Sequence, residues 1–464
     1  MKKGLWLTAL AVTAAGLSLC AQTVPAIICG RAAESSAEGL QLMETVNGKM
    51  VAYATTRFDS EKRFAFALPQ PKEGFYYLVA MSKGKAGRDF IRVYLKPGEQ
   101  IELNITDKKY HAALVKGGAE NKALYQWQEI AYTLEGGFRF WGDTVTYHSY
   151  FPALEAALPK AEAFKKSLHT GNNRFDALLK MAVDADIEFA SFSLLYTPRP
   201  VHAPKDYPMP AYYNTVTKDG RYTSSDVLQL GNGIELLSRY VTAYSMKAFY
   251  NEGSKPERAE LLAKQIALLG NDTVKGAYLA ATFDRYKTYE DLQTSMKPYQ
   301  QYLQLPAFQQ AYFEALKAVS TFKAGTVGYN FSYPDMSGKK VSLKDMAGKV
   351  VLVDMWATWC GPCKAEIPHL QKLEGEMHGK DVVFVSISVD EAKDKEKWKR
   401  FVEEKKLGGV QLFAAGWSDM AKFYGVNGIP RFMVFDKKGN IVSVDAPRPS
   451  TPELKQMLEK ALLN

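Results

Sequence analysis

Residues 350–370, VVLVDMWATWCGPCKAEIPHL, constrain the fold most: an unbroken apolar run meets Cys360-Gly361-Pro362-Cys363 at the start of an apparent helix. A strand that is apolar on both faces is covered on both, as in a βαβ unit with a buried sheet. The elements from about residue 324 onward agree. KVVLVDMWA and DVVFVSISV are strands, each followed by a helical segment, and two further strands and a last helix complete the order. RFMVFDKKGNIVSVD reads as a hairpin turning at Lys438-Gly439, and TPELKQMLEKALL as an amphipathic helix capped by Thr451.

The 464 residues exceed what one ordinary core holds, so two or three domains are expected. From about 40 to 110 the apolar residues alternate. FIRVYLKPGEQIELNI is expected to form a β-hairpin with Pro97-Gly98 at its turn, and RFAFALPQPKEGFYYLVAM places Phe64, Phe66 and Leu68 on one face. Together they suggest a small antiparallel sandwich or barrel-like domain. Between about 120 and 320 helical spacing takes over, as in the stripe Ala259, Leu262, Ile266 and Leu269, and TPRPVHAPKDYPMP interrupts it as a proline-rich loop. The tyrosines and phenylalanines of this region read as core. The two glycines of FKAGTVGYNFSYP close the helical texture near residue 324.

At the start, Lys2 and Lys3 precede LWLTALAVTAAGLSL and then small residues, the layout of a secretory signal peptide cut after Ala21. Lipidation at Cys20 ranks second, because Leu19 stands where a small residue is usual. Export leaves Cys29, Cys360 and Cys363, too few for a disulfide-dense scaffold. Cys29, in the strand-like run TVPAIICG, reads as a buried, unreactive thiol. The net charge of +9 does not point to nucleic acid: residues 325–464 carry 21 Lys and Arg against 18 Asp and Glu, and DEAKDKEKWKR mixes both signs like a solvated helix face.

A cysteine at the first turn of a helix is stabilised as a thiolate by unpaired N–H groups and the helix dipole, which makes Cys360 a nucleophile near neutral pH. Pro362 has no N–H to leave unsatisfied there. Cys363, three residues on, shares the helix face and lies within disulfide reach, so Cys360 would attack a substrate disulfide and Cys363 would resolve the mixed disulfide. A zinc site would need four ligands, but the chain has a single CxxC, and His369 reads as a helix-surface residue. A purely structural bridge over so short a loop would add little stability.

VLVDMWATWCGPC resembles the active-site strand and motif of thioredoxins. With FVSISVD, KWKRFV and GIPRFMVFDKKGNIV it is similar to the TlpA/ResA-type thiol-disulfide oxidoreductases of bacterial envelopes, over about residues 325–464. The resemblance implies that Cys360 attacks and Cys363 resolves. It also implies that Ile429-Pro430 is a cis-proline loop offering backbone to an extended substrate, although a trans-proline before a strand fits the sequence as well. Asp354 matches the buried acid of thioredoxin. Because it interrupts an apolar run, it is expected to be buried, to have a raised pKa and to exchange a proton with Cys363. Glu366 matches a second acid of the family, or is a first-turn Glu favoured by the helix dipole.

Trp356 and Trp359 are expected at the rim of the site as an apolar surface for substrate polypeptides. Arg431 stands where thioredoxins usually have Thr and should face the incoming chain. Gly361-Pro362 favours reduction by its likeness to thioredoxin.

The expected fold is a multidomain α+β chain: a signal peptide over 1–21, a β-rich antiparallel domain over 22–116, an all-helical domain over 117–323 and a thioredoxin-like α/β domain over 324–464. The expected activity is periplasmic reduction of disulfide-containing envelope proteins. It would use no cofactor beyond the Cys360-Cys363 pair and would be fed by a membrane electron donor. The peroxiredoxin signature Pro-x-x-x-Thr-x-x-Cys is absent. The other reading is an envelope binding or assembly protein whose first 300 residues capture a ligand, with the redox module secondary.

Overall fold

The computed structural model describes residues 24–463, apart from 34, 36, 107–110, 138–144, 197–200, 202, 205, 217–220 and 253–256. The expected leader, with Cys20 and the cut after Ala21, lies outside the described residues, as does part of the proline-rich loop. Among the described residues no helix is long and apolar enough to cross a membrane. The chain divides into two compact units, residues 1–274 and 275–464.

Eight strands open the first unit: β1 (Ala26–Arg31), β2 (Gly39–Val46), β3 (Lys49–Arg57), β4 (Arg63–Leu68), β5 (Gly74–Ser82), β6 (Lys85–Leu95), β7 (Gln100–Ile105) and β8 (Ala112–Lys116). They form two four-stranded sheets, ordered β4-β1-β7-β8 and β3-β2-β5-β6. All pairs are antiparallel except β1 with β7. The expected hairpin across Pro97-Gly98 does not form. β6 pairs with β5, whereas β7 pairs with β1 and β8, and the turn, with Gly98 at φ 79°, carries the chain from one sheet to the other. Alternation reports which face of a strand is buried, and both strands obey it, but it does not name the partner. In β4 Phe64, Phe66 and Leu68 are buried and their neighbours exposed.

The helices that follow include Ala119–Ala131, Tyr147–Ser167, Asn173–Tyr196, Gly233–Glu252 and Arg258–Ala267. In the last, Leu262 and Ile266 are buried, while Ala259 is exposed and the helix stops before Leu269. The helix Asn173–Tyr196 is buried so completely that it carries acids into the interior, and each is paired. Asp186 accepts two hydrogen bonds from the Arg92 guanidinium at 2.8 and 2.9 Å and one from Trp127 Nε1 at 2.9 Å. Glu188 meets Arg221 at 2.5 Å and accepts from the Tyr222 hydroxyl, and burial still pushes its carboxyl up to about 7.

In the second unit the helices Tyr289–Met296 and Pro306–Ser320 precede a short pair, β9 (Ser332–Pro334) with β10 (Lys340–Ser342). The main sheet consists of β11 (Val350–Trp356), β12 (Val382–Ser388), β13 (Val410–Phe413), β14 (Arg431–Phe435) and β15 (Ile441–Ser443), in the order β13-β12-β11-β14-β15. β11, β12 and β13 run parallel, and β14 and β15 are antiparallel additions. The hairpin from β14 to β15 turns where expected, with Gly439 at φ 77° and Asp436 Oδ1 accepting the Lys438 and Asn440 amides, each at 2.8 Å.

Every residue of β11 is buried, as a central strand requires. Val351, Val353 and Met355 pack with Trp398, Phe413 and Phe435, whereas Val350 and Leu352 pack with Leu373, Met377, Leu454 and Leu458. The second set covers the sheet with the helices Gly361–Glu376 and Pro452–Leu463. This arrangement is a thioredoxin-like fold. It fixes the helix that begins at the CxxC directly over one face of β11.

The Arg92–Asp186 pair supplies a test of the first unit. Removing one partner of a buried ion pair leaves the other charge unpaired, so Asp186→Ala is expected to cost about 3–5 kcal/mol. Urea unfolding followed by circular dichroism measures it; a loss under about 1 kcal/mol would mean that Arg92 finds another partner or water.

Candidate active site

β11 ends at Trp356, and the chain turns through Ala357–Trp359 into the helix Gly361–Glu376. Two interactions hold the turn. Cys360 N–H donates to the Ala357 carbonyl at 3.1 Å, and Asp390, fully buried beyond the end of β12, accepts from Thr358 N at 2.9 Å, Thr358 Oγ1 at 2.7 Å and Ser388 Oγ at 2.7 Å. Asp390 thereby ties the approach to the cysteines to the neighbouring strand. Reading the sequence missed it; the available signal was the Ser388-x-Asp390 spacing at the end of the strand after the CxxC.

Cys360 is the helix N-cap, and its sulfur accepts the Cys363 backbone N–H at 3.1 Å, with Pro362 in the first turn. The two cysteines form a disulfide with their Cα atoms 5.3 Å apart. Both are buried, and Cys360 Sγ lies 3.8 Å from the Ile429 carbonyl oxygen. The Ile429-Pro430 bond is cis, immediately before β14. Gly361 and Pro362 are exposed, and a Cβ at Gly361 would meet no atom within 4 Å, so packing does not demand glycine there.

The two tryptophans part company. Trp359 is 54% exposed beside Cys360, but Trp356 is 2% exposed and belongs to the core, which corrects its expected place on the rim. The cause is where the strand ends: Trp356 is still within β11, which is buried on both faces, whereas Trp359 lies in the turn beyond it. The Arg431 side chain is engaged within its own domain. Its guanidinium lies 2.8 Å from Asp445 and 3.4 Å from the Val444 carbonyl, with its side chain 12% exposed. His369 is exposed on the helix.

Two carboxyl groups lie under the helix. Asp354 is buried on β11, and Oδ1 finds no hydrogen-bond partner among the described residues. Burial first, and then the nearby charge of Glu366, push it up to about 8. Glu366 is equally buried but well supplied: Ser450 donates from both its backbone N and its hydroxyl, each at 3.0 Å, and Arg448 stands 3.7 Å away. One acid thus sits among donors while the other has a bare oxygen, an arrangement that leaves the proton on Asp354. Elsewhere Cys29 is a free, half-buried thiol on β1, pushed up by burial and then by Glu102.

The Redoxin family model matches residues 318–460. The thiol-disulfide oxidoreductase ResA of Bacillus thuringiensis subsp. konkukian is 31% identical over 131 residues, which span 28% of this chain and 74% of that protein. The thioredoxin-like protein YneN of Bacillus subtilis is 34% identical over 131 residues, 28% of this chain and 75% of that one. Among solved structures, the thioredoxin domain of a thiol-disulfide oxidoreductase from Bacteroides vulgatus is 30% identical over 30% of this chain and 97% of its own, with a TM-score of 0.27. A dithiol motif closed on itself at a helix N-terminus, on a thioredoxin-like sheet, defines a redox enzyme that exchanges thiols for disulfides. The chain belongs to the ResA-type thiol-disulfide oxidoreductases.

The burial of Asp354 makes stability depend on pH. Its carboxyl ionises near 4 when unfolded and near 8 when folded, so the folded protein holds the extra proton between these values. This contribution is complete below about pH 4 and is lost as the pH rises through about 8. Oxidised protein is therefore expected to lose on the order of a few kcal/mol across this window, and Asp354→Asn to flatten the slope. Denaturant midpoints at a series of pH values measure it; equal slopes would place the proton elsewhere.

Proposed function

We propose that this enzyme reduces disulfides of envelope proteins, drawing on no cofactor other than its own Cys360-Cys363 pair. In the reduced form the Cys360 thiolate attacks one sulfur of the substrate disulfide. A mixed disulfide forms, and the other substrate sulfur leaves as a thiolate that takes a proton from water. In the fraction of enzyme whose Asp354 is ionised, a minority near neutral pH because the acid is pushed up to about 8, Cys363 gives its proton to that carboxylate and attacks Cys360 Sγ. The second substrate sulfur leaves as a thiolate that takes a proton from water, and the enzyme is left with its own disulfide. Two electrons pass to the substrate, and an external dithiol restores them. Asp354 then returns its proton to the Cys363 sulfur as that bond is opened.

The observation that carries the reading is the position of Cys360: an N-cap whose sulfur receives the Cys363 amide, under a helix that covers a buried carboxylic acid. Glu366, held by Ser450 and Arg448, keeps a negative charge near Asp354 and so favours the protonated acid after resolution. The Ile429 carbonyl beside Cys360, with Pro430 after it, offers backbone to an extended substrate, and exposed Trp359 offers an apolar face. Gly361 and Pro362 complete the exposed rim, and Arg431 contributes backbone more than side chain. Export on the residue 1–21 leader and delivery of electrons by a membrane dithiol partner belong to the same proposal.

Cys360→Ser is expected to abolish reduction of a model protein disulfide, and Cys363→Ser to accumulate a mixed disulfide visible by mass under non-reducing conditions. Turnover by Cys360→Ser equal to the parent would overturn the mechanism. The direction is tested by equilibration in thiol/disulfide buffers with alkylation. A potential near the thioredoxin value of about −270 mV fits a reductase, and one near about −120 mV would make the enzyme a disulfide donor.

A further inference from the structure

Asp354, Ser386 and Gln411 lie side by side across three parallel strands. In register Asp354 pairs with Ser386, and Ser386 with Gln411, so all three side chains are on the sheet face under the helix Gly361–Glu376. Each is at least nine-tenths buried, in a layer otherwise apolar. They line one pocket with Trp356, Ile367, Leu370, Phe384 and Leu407, and its outer end is formed by exposed Gln371, half-buried Glu374 and Gly408.

Three of the lining residues each leave a buried polar atom with no hydrogen-bond partner among the described residues: Asp354 Oδ1, Trp356 Nε1 and Gln411 Oε1. The Gln411 amide is not free to turn, because Nε2 donates to the Gly408 carbonyl at 2.6 Å and so commits Oε1 as acceptor. A donor, an acceptor and a carboxyl oxygen left bare in one buried space cost more than any apolar replacement, unless something small and polar joins them. The pocket offers about 20 Å³ to the centre of a water molecule, where roughly 10–15 Å³ suffices for one. At the outer end the Glu374 carboxylate is seated against the backbone of Gly408 and Gly409; a Cβ at Gly408 would come within 2.5 Å of its oxygen.

We infer that this pocket is a water-binding site that hydrates Asp354 through Trp356 Nε1 and Gln411 Oε1 and opens to solvent at Glu374. The inference rests on the reading of Asp354 as the acid of the dithiol cycle only for its purpose. The bound water gives the carboxylate a solvation path on the side away from the disulfide, so Asp354 equilibrates with solvent even while substrate covers the cysteines. The titratable and charged groups near Asp354 in the oxidised protein are Glu366 and Glu374 on the helix, with Arg448 behind Glu366, while Cys363 is held in the disulfide. The residues facing it from the flanking strands, Ser386 and Phe432, do not titrate.

The test uses infrared difference spectroscopy of the oxidised full chain, with Asp354→Asn to assign the carboxylic C=O band, titrated with pH. Gln411→Met removes the acceptor at nearly constant volume, and Ser386→Val fills the pocket with methyl groups. Each is expected to raise the midpoint of the band by about one unit or more and to move it to higher wavenumber, because the acid loses its hydrogen bond and the carboxylate its solvation. Either folded variant showing both shifts supports the site. Folded variants that leave midpoint and band unchanged overturn it. Turnover by Asp354→Asn with an unaltered pH profile, alongside shifted bands in Gln411→Met, would remove Asp354 from the dithiol cycle and leave the water site standing.

Discussion

A carboxylic acid on the central strand of a buried sheet is the constraint around which the redox domain is arranged. Nothing apolar can stabilise an ionised Asp354, so the surroundings settle its proton by other means. The helix over it excludes bulk solvent, and Glu366 adds a like charge that is itself held by Ser450 and Arg448 from the segment before the last helix. That helix is also the one whose first turn bears the cysteines. Its lower face, through Leu373 and its neighbours, is bonded into the core, so the disulfide and the acid keep a fixed relation to each other. Asp390 completes the frame from the other strand by fixing Thr358.

Much of this was legible in the residues, for physical reasons that differ from place to place. The run VVLVDMW could be nothing but a central strand, and a Pro at the second residue after an N-cap cysteine marks the start of a helix. An acid inside that run announced its own burial. Failures came where the deciding contact is distant in sequence. β6 and β7 alternate as hairpin strands do, yet each finds its partner in a different sheet. Trp356 and Trp359 are equally aromatic, and only the last pleat of β11 separates a core residue from an exposed one. For Arg431, placed by its position after Pro430, nothing nearby in sequence reveals Asp445 as an ion-pair partner, fourteen positions on across the next strand. Gln411 and Ser386 drew no attention because a single polar residue in a strand is ordinary; the register that aligns them with Asp354 is a property of the sheet.

The first unit shows the same physics used for a different end. Asp186 and Glu188 are as deeply placed as Asp354, but Asp186 is locked between Arg92 and Trp127, and Glu188 meets both a guanidinium and a hydroxyl. Those acids are held by their partners and specify one packing of the long helix against its neighbours. Asp354 differs in having a buried oxygen with no hydrogen-bond partner among the described residues.

The polar row across β11, β12 and β13 also sets a limit on how this domain can be improved. A redesign guided only by thermal stability would begin at Asp354, Ser386 and Gln411, since three branched aliphatic side chains there would match the layer around them. The resulting protein would be harder to unfold and would keep its cysteines, its cis-proline loop and every feature by which its fold is recognised, while having lost the buried acid proposed to take the Cys363 proton. The buried polar row is thus a feature to be preserved in any thermostable variant, and residues 354, 386 and 411 are the positions to hold constant.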